Sequence, residues 1–403
     1  MPVVYAVPDG GGDPVIERVG VGKRVRVPEC DTVSELDRVG VGVRVRFCQC
    51  DHHPVADRVQ PRARQLPDSA AATDGTTDSD AVAGDDANPV ALTDIDPDTN
   101  ARPVTAPDRG RDVTRLVAAH LPDAAVVSVS RLGEGWDNVT YEVNGEIIVR
   151  FSKVTDERER AALVQREERI LRMVARLTAM PVPRTLFISL DDGCIAYLKI
   201  AGISLLEASA AARATHATTV GAALGVWLKD LHAAPVDEAM DAGVDAQQMD
   251  GWLADAATSY SQAGGTVPSR HRGAIEDFLH AQPPERGDTL VFSHNDLGAD
   301  HVIADPSTWE ITGVIDWTDA ARVDPAVDFG YIYRDLGPRA LDAMLDGYAA
   351  SDAARSSLRD RAAFYARCSV LEDLAYGVAA QRDVYIAQAV ASLEWLFPHE
   401  RVS

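Results

Sequence analysis

The stretch Ser293-His294-Asn295-Asp296-Leu297-Gly298-Ala299-Asp300-His301, followed closely by Gly313-Val314-Ile315-Asp316-Trp317, decides how the rest of this chain is read. A short apolar strand leads into His-x-Asp, a second polar ligand type follows five residues after that Asp, and another apolar strand ends on a second Asp. Phosphoryl transfer needs such a set. One carboxylate meets an acceptor hydroxyl, while an imidazole or amide and a second carboxylate hold magnesium against nucleotide phosphates. On this spacing Asp296 is the candidate catalytic carboxylate, and His301 and Asp316 are the candidate metal ligands. A carboxylate at the end of the apolar run Ile311–Ile315 is costly without a cation. The plainer alternatives are a loop Asp that caps a helix and a satisfied core histidine. His294 reads as structural, hydrogen-bonding the loop backbone. The motif names a reaction class and no substrate.

Outward from this stretch, the chain falls into a sheet-rich part and a helix-rich part. Val113–Ala118 starts a short helix, and Val126–Ser130, Asn138–Val143 and Glu146–Phe151 read as strands. The last two turn through Asn144-Gly145, a strong hairpin signal. Asp156–Ala175 is a charged amphipathic helix with Leu163, Ile170, Leu171 and Val174 inward, and Val182–Ser189 and Cys194–Ile200 add two strands. Beyond Gly202 the expected helices are Ala217–His232, Ala246–Tyr260, Arg270–His280, Pro325–Asp335, Ala340–Ala349, Ser356–Gln381 and Ile386–Phe397. The clear strands there are Thr289–Phe292, Val302–Ile303 and Ile311–Ile315. The fold class is therefore α+β: a small lobe (106–200) of five strands with one inserted helix, then a mainly helical lobe (201–403) that carries the motif.

Composition narrows the setting. The net charge of −23 disfavours nucleic acid and anionic membrane surfaces, and no apolar run is long enough to span a bilayer. Five scattered cysteines, Cys30, Cys48, Cys50, Cys194 and Cys368, suit a reducing cytoplasm better than a disulfide framework. The N-terminus lacks a basic region followed by an apolar stretch, so it does not read as a secretory signal. Lysine occurs only four times among 39 basic residues, beside abundant aspartate. That balance fits either an ordinary acidic cytosolic enzyme or a protein kept soluble in high salt.

Residues 1–105 differ from the remainder. Glu17–Val27 recurs as Asp37–Phe47, twenty residues on, with alternating Val and Arg. From Leu66 to Thr105 there are nine aspartates, one arginine and no aromatic residue. Such a segment buries too little to offset its ordering entropy, so 1–105 is expected to be a mostly disordered extension. Its Cys48-Gln49-Cys50-Asp51-His52-His53 cluster, with Cys30, has zinc-binding residue types. The single residue between the cysteines departs from structural zinc spacing, and an incidental cluster is the simpler reading.

From about 110 to 400 the chain resembles the aminoglycoside phosphotransferase family, kinase-fold enzymes that phosphorylate small-molecule hydroxyls. It is most similar to the aminoglycoside 2″-phosphotransferases, then to the macrolide phosphotransferases. The matching stretches are Leu132-Gly133-Glu134-Gly135-Trp136-Asp137-Asn138, Ile148-Val149-Arg150-Phe151, Pro181-Val182-Pro183, His294-Asn295-Asp296 with His301, Gly313–Trp317 and Asp324-Pro325-Ala326-Val327-Asp328-Phe329. The resemblance implies a two-lobed protein-kinase-like fold, ATP or GTP as donor, and Mg2+. It implies Gly133 and Gly135 over the phosphates, in a hairpin between strands rather than a loop that opens a helix. It puts Arg150 where kinases carry a lysine, with Glu167 as its partner; this departs from the pattern, since an arginine fork differs from a lysine point charge. Lys153 lies one strand face out of register. The hinge Lys199-Ile200-Ala201-Gly202 would hold the base, with Ile200 against it, and Asp328 would brace the catalytic loop.

For the acceptor, Glu372, Asp373 and Tyr376 are candidates, with Asp319 and Asp335 nearer the metal strand. Clustered carboxylates suit an ammonium-bearing sugar, although solvated surface carboxylates are common in so acidic a chain. The expected activity is small-molecule O-phosphorylation, most readily of an aminoglycoside-type antibiotic, by a cytoplasmic monomer or weak dimer. The alternatives are a metabolic alcohol or sugar kinase, a macrolide kinase, and a non-catalytic nucleotide-binding protein on the same fold.

Overall fold

The structure, a computed structural model, describes residues 108–398 except 136, 248–250, 286, 288 and 350. The expectations for residues 1–105, including the cluster of Cys30, Cys48, Cys50, His52 and His53, lie outside the described residues.

Helix α1 (Gly110–His120) precedes β1 (Val129–Glu134), β2 (Asn138–Val143) and β3 (Ile147–Ser152). Helix α2 (Glu157–Leu177) is inserted before β4 (Thr185–Ser189) and β5 (Cys194–Leu198). These five strands form one sheet in the order β1-β2-β3-β5-β4, with every neighbour antiparallel. Asn144 and Gly145 both take positive φ, 56° and 76°, as the Asn-Gly hairpin requires. The first strand begins later than expected and runs on to Glu134. The Asn144 carboxamide accepts from Val127 N and Ser128 N and donates to Ala125 O, which replaces ladder bonds in that segment. The pairing of β1 with β2 then shifts register between Arg131 and Gly133.

Asp156 caps α2, its carboxylate accepting from Arg158 N and Glu159 N at 3.0 and 2.9 Å. The buried face of α2 is Val164, Glu167, Ile170, Leu171, Met173 and Val174. Leu163, expected inward, is 38% exposed instead, and Val164 takes its place. On the other side of the sheet, Val113, Leu116 and Val117 of α1 close a cluster with Val139, Tyr141, Val149 and Phe151.

A second, mainly helical part follows: β6 (Ile203–Ser204), α3 (Ala210–His232), α4 (Val236–Asp241), α5 (Trp252–Ala263) and α6 (Ser269–Leu279). Then come β7 (Val291–Ser293), β8 (Val302–Ala304), β9 (Ile311–Val314), β10 (Ala321–Val323), α7 (Ala326–Leu336), α8 (Pro338–Tyr348), α9 (Asp352–Ala379) and α10 (Asp383–Leu396). Two differences from expectation have clear causes. Helix α3 starts seven residues early because the Ser209 hydroxyl caps it, accepting from Ala212 N. The helix expected from Ala246 starts at Trp252, since Ala246 bridges to Arg322 and Gly251 turns at φ 98°.

Two small antiparallel sheets hold the loops that matter. One is β6-β8-β9 and the other β10-β7. The loop Ser293–His301 therefore runs from the end of β7 to the start of β8, and Asp316 follows β9. Beneath them Trp317, fully buried, packs against Phe292, Trp227 and His294, with centroids 6.1, 6.1 and 4.7 Å away. Burial of such rings stabilises the loop bases by about 2–3 kcal/mol each. Among the described residues, no helix is long and apolar enough to cross a membrane, and Cys194 and Cys368 are buried free thiols.

Candidate active site

The loop after β7 is held from below by Asp328 on α7, which is fully buried. Its Oδ1 accepts from Asn295 N at 2.9 Å, and its Oδ2 accepts from His294 N at 3.1 Å. His232 of α3 stands 3.0 Å from the same Oδ2 through Nε2, and its Nδ1 is 3.0 Å from the Tyr348 hydroxyl. His294 donates from Nε2 to Ile315 O at 2.9 Å and accepts at Nδ1 from Asp296 N. Burial, with His301 nearby, lowers the His294 imidazole to about 4, so it stays neutral. These contacts tie the loop to the turn after β9. Asn295 and Asp316 both sit at positive φ, 65° and 60°, a strained backbone held by its surroundings.

Asp296, His301 and Asp316 come together. His301 Nδ1 lies 2.7 Å from the Asp296 carbonyl oxygen and 3.4 Å from Asp296 Oδ2. Its Nε2 faces Asp316 Oδ2 at 3.9 Å and Asp300 Oδ2 at 3.6 Å. With Nδ1–H donated to a carbonyl, Nε2 is the nitrogen that faces the carboxylates, an orientation that metal-binding histidines commonly have and that a cation could use once it displaces the Nε2 proton. Burial opposes charge on this imidazole, but Asp300, Asp296 and Asp316 push it up to about 10. The Asp296 carboxyl goes up to about 7 through burial, with Asp300 and Asp319 adding to it. Asp316 goes the other way: burial is outweighed by Arg150 and His301, which hold its carboxyl below the usual range. Among the described residues no group of three His, Cys, Asp or Glu is arranged to hold a metal by itself. The candidate cation donors are thus His301 Nε2 and Asp316 Oδ2, a pair that phosphates and water would have to complete. Magnesium commonly binds in that way.

Above the loop, Arg150 of β3 reaches both carboxylates. Its Nη2 donates to Glu167 Oε2 at 3.0 Å and its Nη1 to Asp316 Oδ1 at 2.6 Å. Gly133 lies near the turn end of β1 and Gly135 in the turn, its N–H donating to Asn138 O; a Cβ at either would meet nothing within 4 Å. Lys153 points away from Arg150 to Glu134 Oε1 and Gly135 O, both at 3.0 Å, and fastens this hairpin. The Asp319 carboxyl, on the turn after Asp316, is raised by partial burial, then by Asp316 and by Asp137 of the hairpin. At the hinge, Ala201 O accepts from Thr312, and the Ile200 side chain lies over Gly313, where a Cβ would come within 2.6 Å.

On the acceptor side the structure redistributes the expected carboxylates. Asp335 is buried, not open to an acceptor: it pairs with Arg334 at 2.7 Å and accepts from Ala299 N at 2.7 Å, so it braces the loop. Asp373 lies 3.0 Å from Arg334 Nη1. Glu372 is half-buried; burial and Asp255 push its carboxyl up to about 7. Tyr376 packs edge-to-face on Tyr385 at 5.0 Å. Four residues here carry no role in the sequence reading: Asp300, Tyr331, Arg334 and Tyr385. Asp300 accepts from the Tyr385 hydroxyl at 2.9 Å, and Tyr331 lies under the Arg334 guanidinium at 4.9 Å, close to Asp296 and Glu372. The signal existed: Asp328, Tyr331 and Asp335 recur at helical spacing on one face of α7. Gly298 leaves room for these groups: a Cβ would come 2.4 Å from Asp300 Oδ1 and 2.8 Å from Arg334 Nη2, so both side chains would have to shift.

Among solved structures, the chain is similar to the GDP complex of wild-type aminoglycoside 2'-phosphotransferase-IIIa. The identity is 22% and the TM-score 0.56, over 71% of this chain and 98% of that one. The GDP and kanamycin complex of APH(2″)-IIia gives 22% and 0.55, over 70% and 97%. Macrolide 2'-phosphotransferase type I gives 20% and 0.48, over 70% and 96%. The first two likenesses establish the two-lobed kinase-like fold. No curated protein matches the chain. The model of the phosphotransferase enzyme family matches residues 128–365. That match takes in both strands of the glycine hairpin, the loop of Asp296 and His301, and Asp316. It spans more than half of the chain, which belongs to the phosphotransferase enzyme family.

Proposed function

We propose that this protein transfers the γ-phosphoryl group of ATP or GTP to a hydroxyl of a small, cationic acceptor of the aminoglycoside type. The observation that carries the reading is the convergence of Asp296, His301 and Asp316, with His301 Nε2 turned toward Asp316 at 3.9 Å. In this reading Asp296 accepts a hydrogen bond from the acceptor hydroxyl and aligns it with the γ-phosphorus. A bond forms from the acceptor oxygen to phosphorus as the bridging bond to the nucleotide breaks, and the hydroxyl proton leaves toward Asp296. A Mg2+ ion held by His301 and Asp316 would neutralise charge on the phosphate oxygens. Arg150 and the backbone of the Gly133–Gly135 hairpin would hold the phosphates, with the base at Ile200.

Support for a cationic acceptor comes from an excess of acidic groups: Arg334 brings one positive charge against Asp335 and Asp373, and Asp300 and the exposed Asp319 add further carboxyls at the loop. The kanamycin complex of a structural neighbour points the same way. A purely nucleotide-binding protein would have no use for Asp296 beside the paired cation donors. We further propose that residues 106–200 and 201–403 are the working lobes and that 1–105 is an appendage to them.

The test is Asp296→Asn with a panel of aminoglycosides, macrolides and simple sugar alcohols, with ATP and with GTP. Turnover should fall by about a thousandfold or more while nucleotide affinity stays within about threefold. Unchanged turnover in that variant removes Asp296 from the chemistry. Phosphorylation of neutral alcohols alone removes the cationic acceptor.

A further inference from the structure

Asp316 has two carboxylate oxygens, and Arg150 already engages one of them. Oδ1 accepts from Arg150 Nη1 at 2.6 Å and from the Thr318 hydroxyl at 2.7 Å, whereas Oδ2 faces His301. The other arm of the same guanidinium holds Glu167 at 3.0 Å, and Arg150 as a whole is 5% exposed. A lysine here would act as a point charge, serving one carboxylate at a time; the planar fork serves both at once. Its Nε–H is buried with no partner, so the guanidinium is not fully satisfied in this pose.

We propose that Arg150 is a built-in counter-ion of Asp316 that competes with the divalent cation, so that cation and nucleotide enter together. The proposal rests on the phosphotransferase reading of the site. A cation approaching Asp316 meets a fixed positive charge on the neighbouring oxygen and finds only Oδ2 open. Both effects weaken binding of the free ion. Nucleotide phosphates offer the guanidinium a stronger, bidentate partner. As Arg150 turns toward them, Asp316 is released to the cation that the phosphates bring. Nucleotide and cation thereby raise each other's affinity by the same factor, beyond what direct chelation supplies.

The experiment is a Mn2+ titration followed by electron paramagnetic resonance, on the full chain without nucleotide and with ADP. Wild-type protein should bind Mn2+ weakly alone and at least tenfold more tightly with ADP. Arg150→Gln should bind Mn2+ at least tenfold more tightly than wild type without nucleotide, and its gain on adding ADP should shrink. Glu167→Gln, which keeps the side-chain shape, leaves the guanidinium leaning on Asp316 alone and should weaken Mn2+ binding severalfold. A merely structural role for Arg150 would weaken Mn2+ binding in Arg150→Gln as well, where the proposal has it tighten. Arg150→Gln binding Mn2+ no more tightly than wild type overturns the proposal. Should that variant fail to fold by circular dichroism, unchanged or tighter binding in Glu167→Gln overturns it equally. If wild type binds no Mn2+ even with ADP, the phosphotransferase reading falls as well.

Discussion

Replacing Asp328 by asparagine tests how the reactive loop is held. The carboxylate accepts from two successive backbone amides, those of His294 and Asn295, while His232 Nε2 lies 3.0 Å from the oxygen that serves His294. Asparagine keeps one acceptor oxygen and replaces the other with a donor. If the oxygen stays on Asn295, the new NH2 faces His232 and the His294 amide. The imidazole can adapt by moving its proton to Nδ1, which then donates to Tyr348. The His294 amide cannot adapt. One buried N–H thus loses its partner, at about 1–3 kcal/mol, and the remaining bond loses its ionic character, at about 1 kcal/mol more. The expected loss is about 3 kcal/mol, a large part of the stability of an ordinary domain. Urea unfolding followed by far-ultraviolet circular dichroism measures it. Catalysis should suffer separately: Asn295, at φ 65°, precedes Asp296, and a shift of about 1 Å in a reacting group costs about a hundredfold in kcat. A variant within about 0.5 kcal/mol of wild type, with unchanged kcat, would show that Asp328 does not position this loop.

Two further outcomes are expected. Burial and Asp255 raise the Glu372 carboxyl to about 7, so the fold favours its neutral form. That contribution is complete below the unfolded value of about 4.5 and is lost as pH rises through 7; Glu372→Gln should match wild type near pH 5 and exceed it by about 1–2 kcal/mol at pH 8. Parallel stability curves across that range would remove the buried-carboxyl account. A chain that starts at residue 106 should retain the phosphotransferase kcat and KM of the full protein within about twofold; a folded but inactive truncation would give 1–105 a part in the site.

Much of the fold was legible because its signals are local. Asn144-Gly145 set the hairpin, Asp156 marked the start of α2, and the His-x-Asp stretch sat between two apolar strands as the spacing implied. What could not be read came from pairing over long distances. Ala246 joins Arg322 across more than seventy residues, which delays α5, and two residues at 203–204 become a strand only because β8 lies beside them. The site shows the same division. Asp296, His301 and Asp316 were visible as a motif, but Asp335 looked like a free acidic group until Arg334 was seen turned against it in the interior. Asp300 lay inside the quoted stretch, yet its role depends on Tyr385, eighty-five residues later.

Helix α2 belongs by sequence to the sheet lobe, yet three of its arginines reach the other way. Arg166 donates to the carbonyl oxygens of Gly243, Thr318 and Ala320, and Arg169 to that of Ala242. Arg176 meets Glu238 at 3.2 Å, beside the same short helix. Its buried face meanwhile packs with Ile148, Ile195 and Tyr197 of the sheet, so the helix is fastened on both sides. The strands and the larger lobe thus share one helix as a common support, and the Glu167–Arg150 pair is a buried polar contact that fastens it to the sheet.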